Sequence, residues 1–276
     1  MPGHIVRMGA LIILIIACLF LPFLPGRYDG LAVPLSTMAQ IFGVVGLLLV
    51  PIGVLWFVFD RSNKARGYYF AIAALVGLSI VAAAVSFGAA VSLGVSAGIV
   101  AAAASLYGLS RMAMSMKRRK NENDAKFIPA TLYLMVVPVV VAIVQFSLLP
   151  HAIESSRARA IKNSTQLINE IEQYQKLNGT YPSSLLALWS DFDPEVIGIE
   201  RYHYSLNGNA YNLSFEQLSN RFGTREIVIY NRLDEHFFPS HDTHILTSSP
   251  ARLYLTRGHY AANDASSQHW KYFWFD

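Results

Sequence analysis

The chain contains little charge and almost no cysteine. Charged residues make up 14% of its 276 residues, whereas an average soluble domain contains roughly 25%. Cys18 is the only cysteine, so an intrachain disulfide is excluded. The sequence also lacks an H-E-x-x-H pair and a P-loop for phosphate. We therefore expect a non-enzymatic protein without catalytic residues and without a cofactor.

Long stretches lack Asp, Glu, Lys and Arg altogether, and they predict membrane-spanning helices. Residues 8–25, 38–59 and 127–149 are three such runs, each close to the roughly 20 apolar residues of one span. A fourth run, residues 69–110, is about twice that length and is expected to fold back near Phe87-Gly88-Ala89. The sequence thus predicts a membrane all-α bundle of five transmembrane helices.

The charge of the loops predicts which side of the membrane each loop faces. With five spans, ten Lys and Arg residues fall on one side and only Arg27 lies in the short loops of the other side. Because Lys and Arg accumulate in cytoplasmic loops, we expect the amino terminus in the cytoplasm and the carboxyl-terminal region outside it. The net charge of +4 therefore reports topology, and we expect the lipid bilayer rather than nucleic acid as a partner.

The first apolar run has some features of a secretory signal, since Arg7 precedes it and Gly26 follows it. Its apolar core is long for a signal, however, and no small-x-small cleavage site precedes Gly26. We therefore expect a retained span.

The predicted spans contain few polar residues. None of the five carries Asp, Glu, Lys or Arg, on which transporters and channels usually depend, so a transporter is disfavoured. Gln40 and Gln145 are the most polar residues, and hydrogen bonding between helices explains them. Ala90, Gly94 and Gly98 recur at four-residue spacing and predict close helix packing, within the chain or in a dimer.

Residues 151–276 predict an α+β domain outside the membrane, after a transmembrane region at 1–126 and a fifth span at 127–150. Apolar residues recur from Ile153 to Leu177 at steps of three, four and seven, with Arg157 among the charged residues expected on the opposite face. Asn178-Gly179 should end this helix. Five strands are predicted after it: 199–206, the stretch around 211–215, 226–230, 251–256 and 269–275. Asn207-Gly208 predicts a hairpin between the first two. The expected fold is a long N-terminal helix packed on an antiparallel sheet.

An apolar run ends at Pro150, an amphipathic helix follows it and closes with Asn178-Gly179-Thr180-Tyr181-Pro182, and a short helix and a hairpin come next. With these features in this order, residues 127–216 resemble type IV pilins and the pseudopilins of type II secretion. The resemblance implies a bacterial inner (cytoplasmic) membrane and a periplasmic domain. It also implies that pilin-like proteins, secretion-system proteins or further copies of the chain are partners.

Two positions depart from the pilin pattern. A prepilin is cut between Gly and a Phe-like residue, and Glu stands at the fifth position of the mature chain. Here Lys126 precedes Phe127, and Thr131 occupies the fifth place. With four further spans before it, the helix also cannot leave the bilayer to join a fibre. We therefore expect a pilin-like domain that is held permanently at the membrane.

One cluster of metal-ligand residue types lies between two predicted strands. His236, His241 and His244, with carboxylates beside them, predict a zinc or copper site, although the same residues are ordinary in a surface loop. The resemblance adds a second position, because pseudopilins often hold calcium in a late loop. Asn263-Asp264 occupies that place, but a single carboxylate is a poor calcium site.

The last predicted strand is unusually aromatic. Alternation sends Trp270, Tyr272 and Trp274 to the same side of the strand. Two interpretations remain open for this side, namely a buried core face and an exposed face that contacts a partner or lipid.

Taken together, these patterns favour a non-enzymatic membrane protein that displays a pilin-like domain for protein–protein contacts. The contacts would be made either with a secretion or pilus system or in a scaffold unrelated to both. The alternative is a periplasmic ligand or metal sensor that signals through its spans, with the basic loop 111–126 as the cytoplasmic output. A metalloenzyme is a third interpretation, and it depends on the three histidines.

Overall fold

The computed structural model describes residues 2–59, 64–119, 129–188, 192–207, 209–220, 225–234 and 263–275. The chain divides into two compact units. The first comprises Met1–Leu21 and Leu31–Leu149, and the second comprises Pro22–Gly30 and Pro150–Asp276. The boundary after Leu149 lies one residue from the predicted one. The sequence did not predict that Pro22–Gly30 belongs with the carboxyl-terminal region.

The first unit is helical, and the last of its helices continues into the second unit. Their bounds are α1 Pro2–Phe20, α2 Ala32–Val45, α3 Leu49–Phe59, α4 Lys64–Leu93, α5 Val95–Arg119 and α6 Pro129–Asn178, and a 3₁₀ turn at Gly46–Leu48 joins α2 to α3. Four stretches of the described helices are long and apolar enough to cross a membrane: Gly3–Phe23, Ala32–Phe59, Tyr69–Val91 and Ala130–Asn178. Val95–Arg111 is a shorter apolar helix.

Small residues allow the helices of the first unit to pack closely. A Cβ added at Gly53 would lie 2.8 Å from the Met135 side chain, and one added at Gly77 would lie 2.9 Å from those of Leu49 and Ile52. Without water to drive apolar side chains together, close backbone approach of this kind is a main source of helix association in lipid.

The turn in the long apolar run lies at Gly94, and the predicted turn at Phe87-Gly88-Ala89 is wrong. Those three residues lie inside α4. Gly94 has a φ of +93°, which only glycine adopts without strain. Ala90, Gly94 and Gly98, predicted to allow close helix packing, therefore lie in α4, at the turn and in α5. Ala90 and Gly98 lie on opposite sides of the turn, where a Cβ at Gly98 would be 2.5 Å from that of Ala90.

Helix α6 is continuous for 50 residues, or about 75 Å at 1.5 Å per residue. It begins at Pro129, a position that needs no backbone donor, and Pro138 and Pro150 lie inside it. It ends at Asn178, where Gly179 has a φ of +75° and donates its N–H to the carbonyl of Gln175 at 2.9 Å. The predicted stop at Asn178-Gly179 is confirmed.

The second unit contains an antiparallel sheet of five strands in the order β1-β2-β3-β5-β4. The strands are β1 His203–Asn207, β2 Ala210–Leu218, β3 Arg225–Asn231, β4 Asn263–Asp264 and β5 Trp270–Phe275. The predicted hairpin is confirmed, since β1 pairs with β2 and its last pair is Asn207 with Ala210. The short helix predicted after Pro182 is a 3₁₀ turn at Leu185–Leu188. The predicted strand 251–256 lies outside the described residues.

The core of the second unit lies between α6 and the sheet. Leu167 and Ile171 of α6, and Tyr211, Leu213 and Phe215 of β2, are completely buried. The three β2 residues share one face of the strand, and Leu167 and Ile171 share one face of the helix. The predicted amphipathic helix on a sheet is confirmed.

Residues Pro22–Gly30, here called the strap, join the second unit through main-chain hydrogen bonds to the segment 195–198. The four bonds run from Gly26 to Glu195 (3.1 Å), from Ile197 to Leu24 (3.0 Å), from Asp29 to Ile197 (2.9 Å) and from Gly198 to Pro22 (2.8 Å). Side-chain space is absent at Gly198, where a Cβ would lie 2.6 Å from the Pro22 carbonyl oxygen. The strap is therefore bound to this segment along its length.

Candidate functional site

The predicted metal ligands His236, His241 and His244 lie outside the described residues. Within the part of the chain that the structure describes, no group of three His, Cys, Asp or Glu side chains is arranged to hold a metal ion. Asp264, from the predicted calcium position, forms part of β4 and pairs with Lys271 of β5.

A polar cleft of about 200 Å³ lies beside β4 and β5. Asp234, Asp264 and His269 line it, and Nδ1 of His269 is 3.2 Å from an Oδ atom of Asp234. Both residues of this pair have positive φ, 66° at His269 and 57° at Asp234, which is uncommon away from glycine. The cleft is smaller than the roughly 300–1,000 Å³ of most small-molecule sites, so it suits only a small polar guest.

The aromatic side of strand β5 is buried or half-buried. Trp270 is 4% exposed, and its ring centroid lies 5.8 Å from that of Phe215 and 5.4 Å from that of Tyr230. Tyr272 and Trp274 are half-buried and pack edge to face, 5.6 Å apart. Trp270 therefore belongs to the core, and an exposed aromatic face that includes it is wrong because this side of β5 lies in the same core cluster as α6.

A buried ion pair connects α6 to the sheet. Nη1 of Arg157 donates to Oε1 of Glu226 at 2.9 Å, with the two side chains 10% and 2% exposed. The guanidinium also lies 3.6 Å from the centre of the Tyr272 ring, a cation–π contact. The helical periodicity predicted Arg157 on the solvent face, which is wrong. Its spacing of four from Ile153 puts it on the buried stripe.

Hydrogen bonds surround this ion pair. The side-chain amide of Gln217 donates to Glu226 at 2.6 Å and to the carbonyl of Ile153 at 3.3 Å, and Ser156 donates to Gln217 at 2.7 Å. Burial raises the pKa of Glu226, while the positive charge of Arg157 and the hydrogen bond from Gln217 oppose that rise. These contacts act as a clamp that fixes α6 on β2 and β3. The one sequence signal for it was a charged residue beside the apolar run of β3.

Tyrosines and a second ion pair hold the other end of α6. Glu172 pairs with Arg232, and its Oε1 lies 3.4 Å from the hydroxyl of Tyr211. Tyr204 stacks on Tyr211 at 5.6 Å and donates to the Pro182 carbonyl at 2.8 Å. Burial raises the pKa of Tyr211, so its phenol stays neutral at physiological pH. These contacts place the end of α6, the Pro182 segment and the β1–β2 hairpin at one end of the sheet.

Four leucines are exposed at this end of the sheet, and we call them the leucine surface. They are Leu177 (77% exposed), Leu186 (88%), Leu206 (49%) and Leu233 (54%). Leu177 closes α6, Leu186 follows Pro182, Leu206 pairs with Tyr211, and Leu233 lies just after β3. Single exposed leucines are ordinary, but a group at one end of a domain is typical of a protein contact surface. The periodicity of the sequence placed Leu177 on the apolar stripe of the helix, which is wrong because the residue is exposed. It gave no signal for the surface as a whole.

The sequence Gly94-Val95-Ser96-Ala97-Gly98 has the G-x-S-x-G spacing of a hydrolase nucleophile elbow. A working elbow joins a strand to a helix and points its serine into an active site. Here the residues form the turn between α4 and α5, two apolar helices. The structural context is therefore that of a helical hairpin.

Comparison with protein-family models, with curated proteins and with solved structures finds no match to the chain.

Proposed function

We propose that this chain is a non-enzymatic, multi-pass protein of the bacterial inner membrane that displays a pilin-like domain for protein–protein contacts. The observation that carries the proposal is helix α6. Its apolar first part is long enough to cross a membrane, and the same helix continues into an amphipathic part that packs on an antiparallel sheet and ends at Gly179. A helix of this design, followed by a sheet, is what the pilin-like sequence predicts.

The strap supports a count of five spans. It is hydrogen-bonded to residues of the second unit, so both segments lie on the same side of the membrane. The chain between Gly30 and Pro150 must then cross the membrane an even number of times. Three long apolar helical stretches lie between them, and α5 supplies the fourth. Its apolar part, Val95–Arg111, is a shorter helix of about 25 Å, so a span here requires the basic side chains that follow it to reach the headgroups by snorkelling.

The orientation follows from the basic loops. With α1 as a retained span, ten Lys and Arg residues face one side and Arg27, within the strap, faces the other. The positive-inside rule assigns the ten to the cytoplasm. The second unit then lies in the periplasm, and the strap that binds it would have no second attachment to the bilayer if α1 were cut away as a signal.

A labelling experiment tests this topology. Cys18→Ser provides a background without cysteine, into which Tyr28→Cys, Ser266→Cys or Arg118→Cys is introduced singly in the full-length protein. A membrane-impermeant maleimide should label positions 28 and 266 in cells with a permeabilised outer membrane. Position 118 should react only after the inner membrane is opened. Labelling of 28 and 266 on opposite sides would exclude the five-span arrangement.

We assign the protein–protein contacts to the leucine surface. A photo-crosslinking amino acid at Leu177, Leu186 or Leu206 should capture pilin-like or secretion proteins, or a second copy of the chain, identified by mass spectrometry. Glu200 and Arg201 are matched controls, since their side chains are 60% and 66% exposed and lie outside the leucine surface. Equal capture from leucine and control positions would reject this surface, and capture of lipid alone would reject a protein-contact function.

The sensor alternative draws on the polar cleft beside β4 and β5. Its two carboxylates and one imidazole are suited to a small cationic or hydrogen-bonding guest. A ligand that raises the unfolding temperature of the full-length protein, and loses this effect in a His269→Ala variant, would favour the sensor over the scaffold. The small volume of the cleft is the reason that we place the scaffold first.

A further inference from the structure

Two buried amide side chains in the first unit each have one atom without a hydrogen-bond partner among the described residues. Gln40 of α2 is 3% exposed and Gln145 of α6 is 4% exposed. The Nε2 atom of Gln40 and the Oε1 atom of Gln145 are both buried and unpaired. A buried polar group without a partner costs free energy, and an ordered water usually satisfies it.

The two amides lie in one helix interface. A Cβ at Gly43 would overlap the amide oxygen of Gln145 and would lie 3.1 Å from its Cδ, so the amide rests directly on the backbone of α2. Gln40 lies three residues before Gly43, which places it on the same side of that helix. Further along, Gly46 meets Pro138 of α6 at 3.4 Å. This side of α2 therefore faces α6.

The chemistry of the two amides defines a neutral guest. One supplies an unpaired donor and the other an unpaired acceptor, and the apolar runs that contain them carry no charged residue. Exchange of oxygen and nitrogen in both amides leaves one donor and one acceptor, so the complementarity does not depend on that assignment. A molecule that donates once and accepts once, and is small enough for a helix interface, is water.

We propose that Gln40 and Gln145 form a buried site for one water molecule between α2 and α6. The water accepts from Nε2 of Gln40 and donates to Oε1 of Gln145. Gln145 lies four residues before Leu149, about 6 Å along the helix from the end of the first unit. The bridge ties α6, which continues into the second unit, to α2, and Gly43 leaves room for the Gln145 amide.

A double-mutant cycle on the full-length protein in detergent tests the site. Gln40→Leu and Gln145→Leu each leave the other amide unpaired, so each should lower the unfolding temperature by several degrees. The double variant leaves no unpaired amide, so its unfolding temperature should be no lower than that of the less stable single variant. Gln166→Leu, at an exposed position of α6, is the matched control and should change little. Additive losses in the double variant would overturn the proposal.

A structure determined at a resolution that shows ordered waters provides the second test. Density for one water within hydrogen-bond distance of both amides is the expected result, and it should vanish in the double variant. Direct contact between the two amides, or an interface with no density between them, would overturn the proposal even if the cycle were non-additive.

Discussion

Different contacts stabilise each of the two units internally, although helix α6 contributes to both. In the first unit, glycines bring helix backbones close, as at Gly53 against Met135 and at Gly77 against Leu49. In the second unit, the same helix meets the sheet through large apolar side chains and through the Arg157–Glu226 pair. The change occurs near Pro150, where the boundary between the units lies.

The difference is what the proposed membrane placement of the first unit predicts. In water, burying apolar area stabilises a fold by roughly 25 cal/mol per Å², so a core is built from large apolar side chains. A few buried polar groups within that core fix its geometry. In lipid this gain is absent, and close packing and hydrogen bonds between helices take its place. A helix that serves both environments must therefore carry both kinds of surface in sequence.

The largest effect is expected from breaking the buried ion pair. Arg157→Ala leaves Glu226 buried without its cation and should destabilise the second unit by about 3–5 kcal/mol. Arg201→Ala is the control, because the Arg201–Glu200 pair is mostly exposed and exposed pairs contribute about 0–1 kcal/mol. Thermal unfolding of the full-length protein, followed by near-ultraviolet circular dichroism, measures both.

A double variant sharpens this result. Arg157→Met with Glu226→Leu removes both charges and should recover much of the lost stability, because an apolar replacement of a buried pair is often neutral. Equal losses in the Arg157→Ala and Arg201→Ala variants would show that the pair does not organise the second unit.

The strap should give the next largest effect. At Gly198 a Cβ would lie 2.5 Å from that of Pro22 and 2.6 Å from its carbonyl oxygen, so Gly198→Ala should separate the strap from residues 195–198. Overpacking of this kind costs about 1–3 kcal/mol, and protease cleavage within the strap should become faster. At Gly30 an added Cβ meets only ordinary contacts, so Gly30→Ala should behave like the unaltered protein. Similar cleavage rates in both variants would contradict the binding of the strap to residues 195–198.

Titration of Glu226 should produce a smaller, pH-dependent effect. Burial raises its pKa in the folded state above 4.5, so the folded chain holds this proton more tightly than the unfolded chain does. The resulting stabilisation is complete below the unfolded pKa and is lost as the pH rises through the folded value. Stability measured from pH 4 upward should therefore fall more steeply in the unaltered protein than in Glu226→Gln. Parallel curves would show that Glu226 does not titrate in this way.

Local patterns predicted much of the fold. The amphipathic stripe from Ile153, the stop at Gly179 and the hairpin after Asn207 are short-range features, and the structure contains all three. The turn at Gly94 was missed because several small residues nearby offer similar sequence signals, and only tertiary packing selects among them. At Gly88, for example, the side chain of Ile41 takes the space of a Cβ.

Long-range pairings were beyond the sequence. The contact of the strap with residues 195–198 joins segments about 170 positions apart in the chain, and no periodicity reports it. The partner of Arg157 is likewise 69 residues away. The burial of Trp270 follows from the register of β5 with β3, which alternation along a single strand does not determine.

The smallest effect is expected from the histidines. His236, His241 and His244 lie outside the described residues, and their spacing matches no recognised ligand motif. The triple His→Ala variant of the full-length protein should therefore match the unaltered protein in unfolding temperature and in metal content by mass spectrometry, after purification with zinc or copper present. A stoichiometric metal that disappears in the triple variant would contradict this expectation. It would favour the sensor, because a bound metal that folds a loop adds its binding free energy to stability, and the second unit would then be held by a third kind of contact.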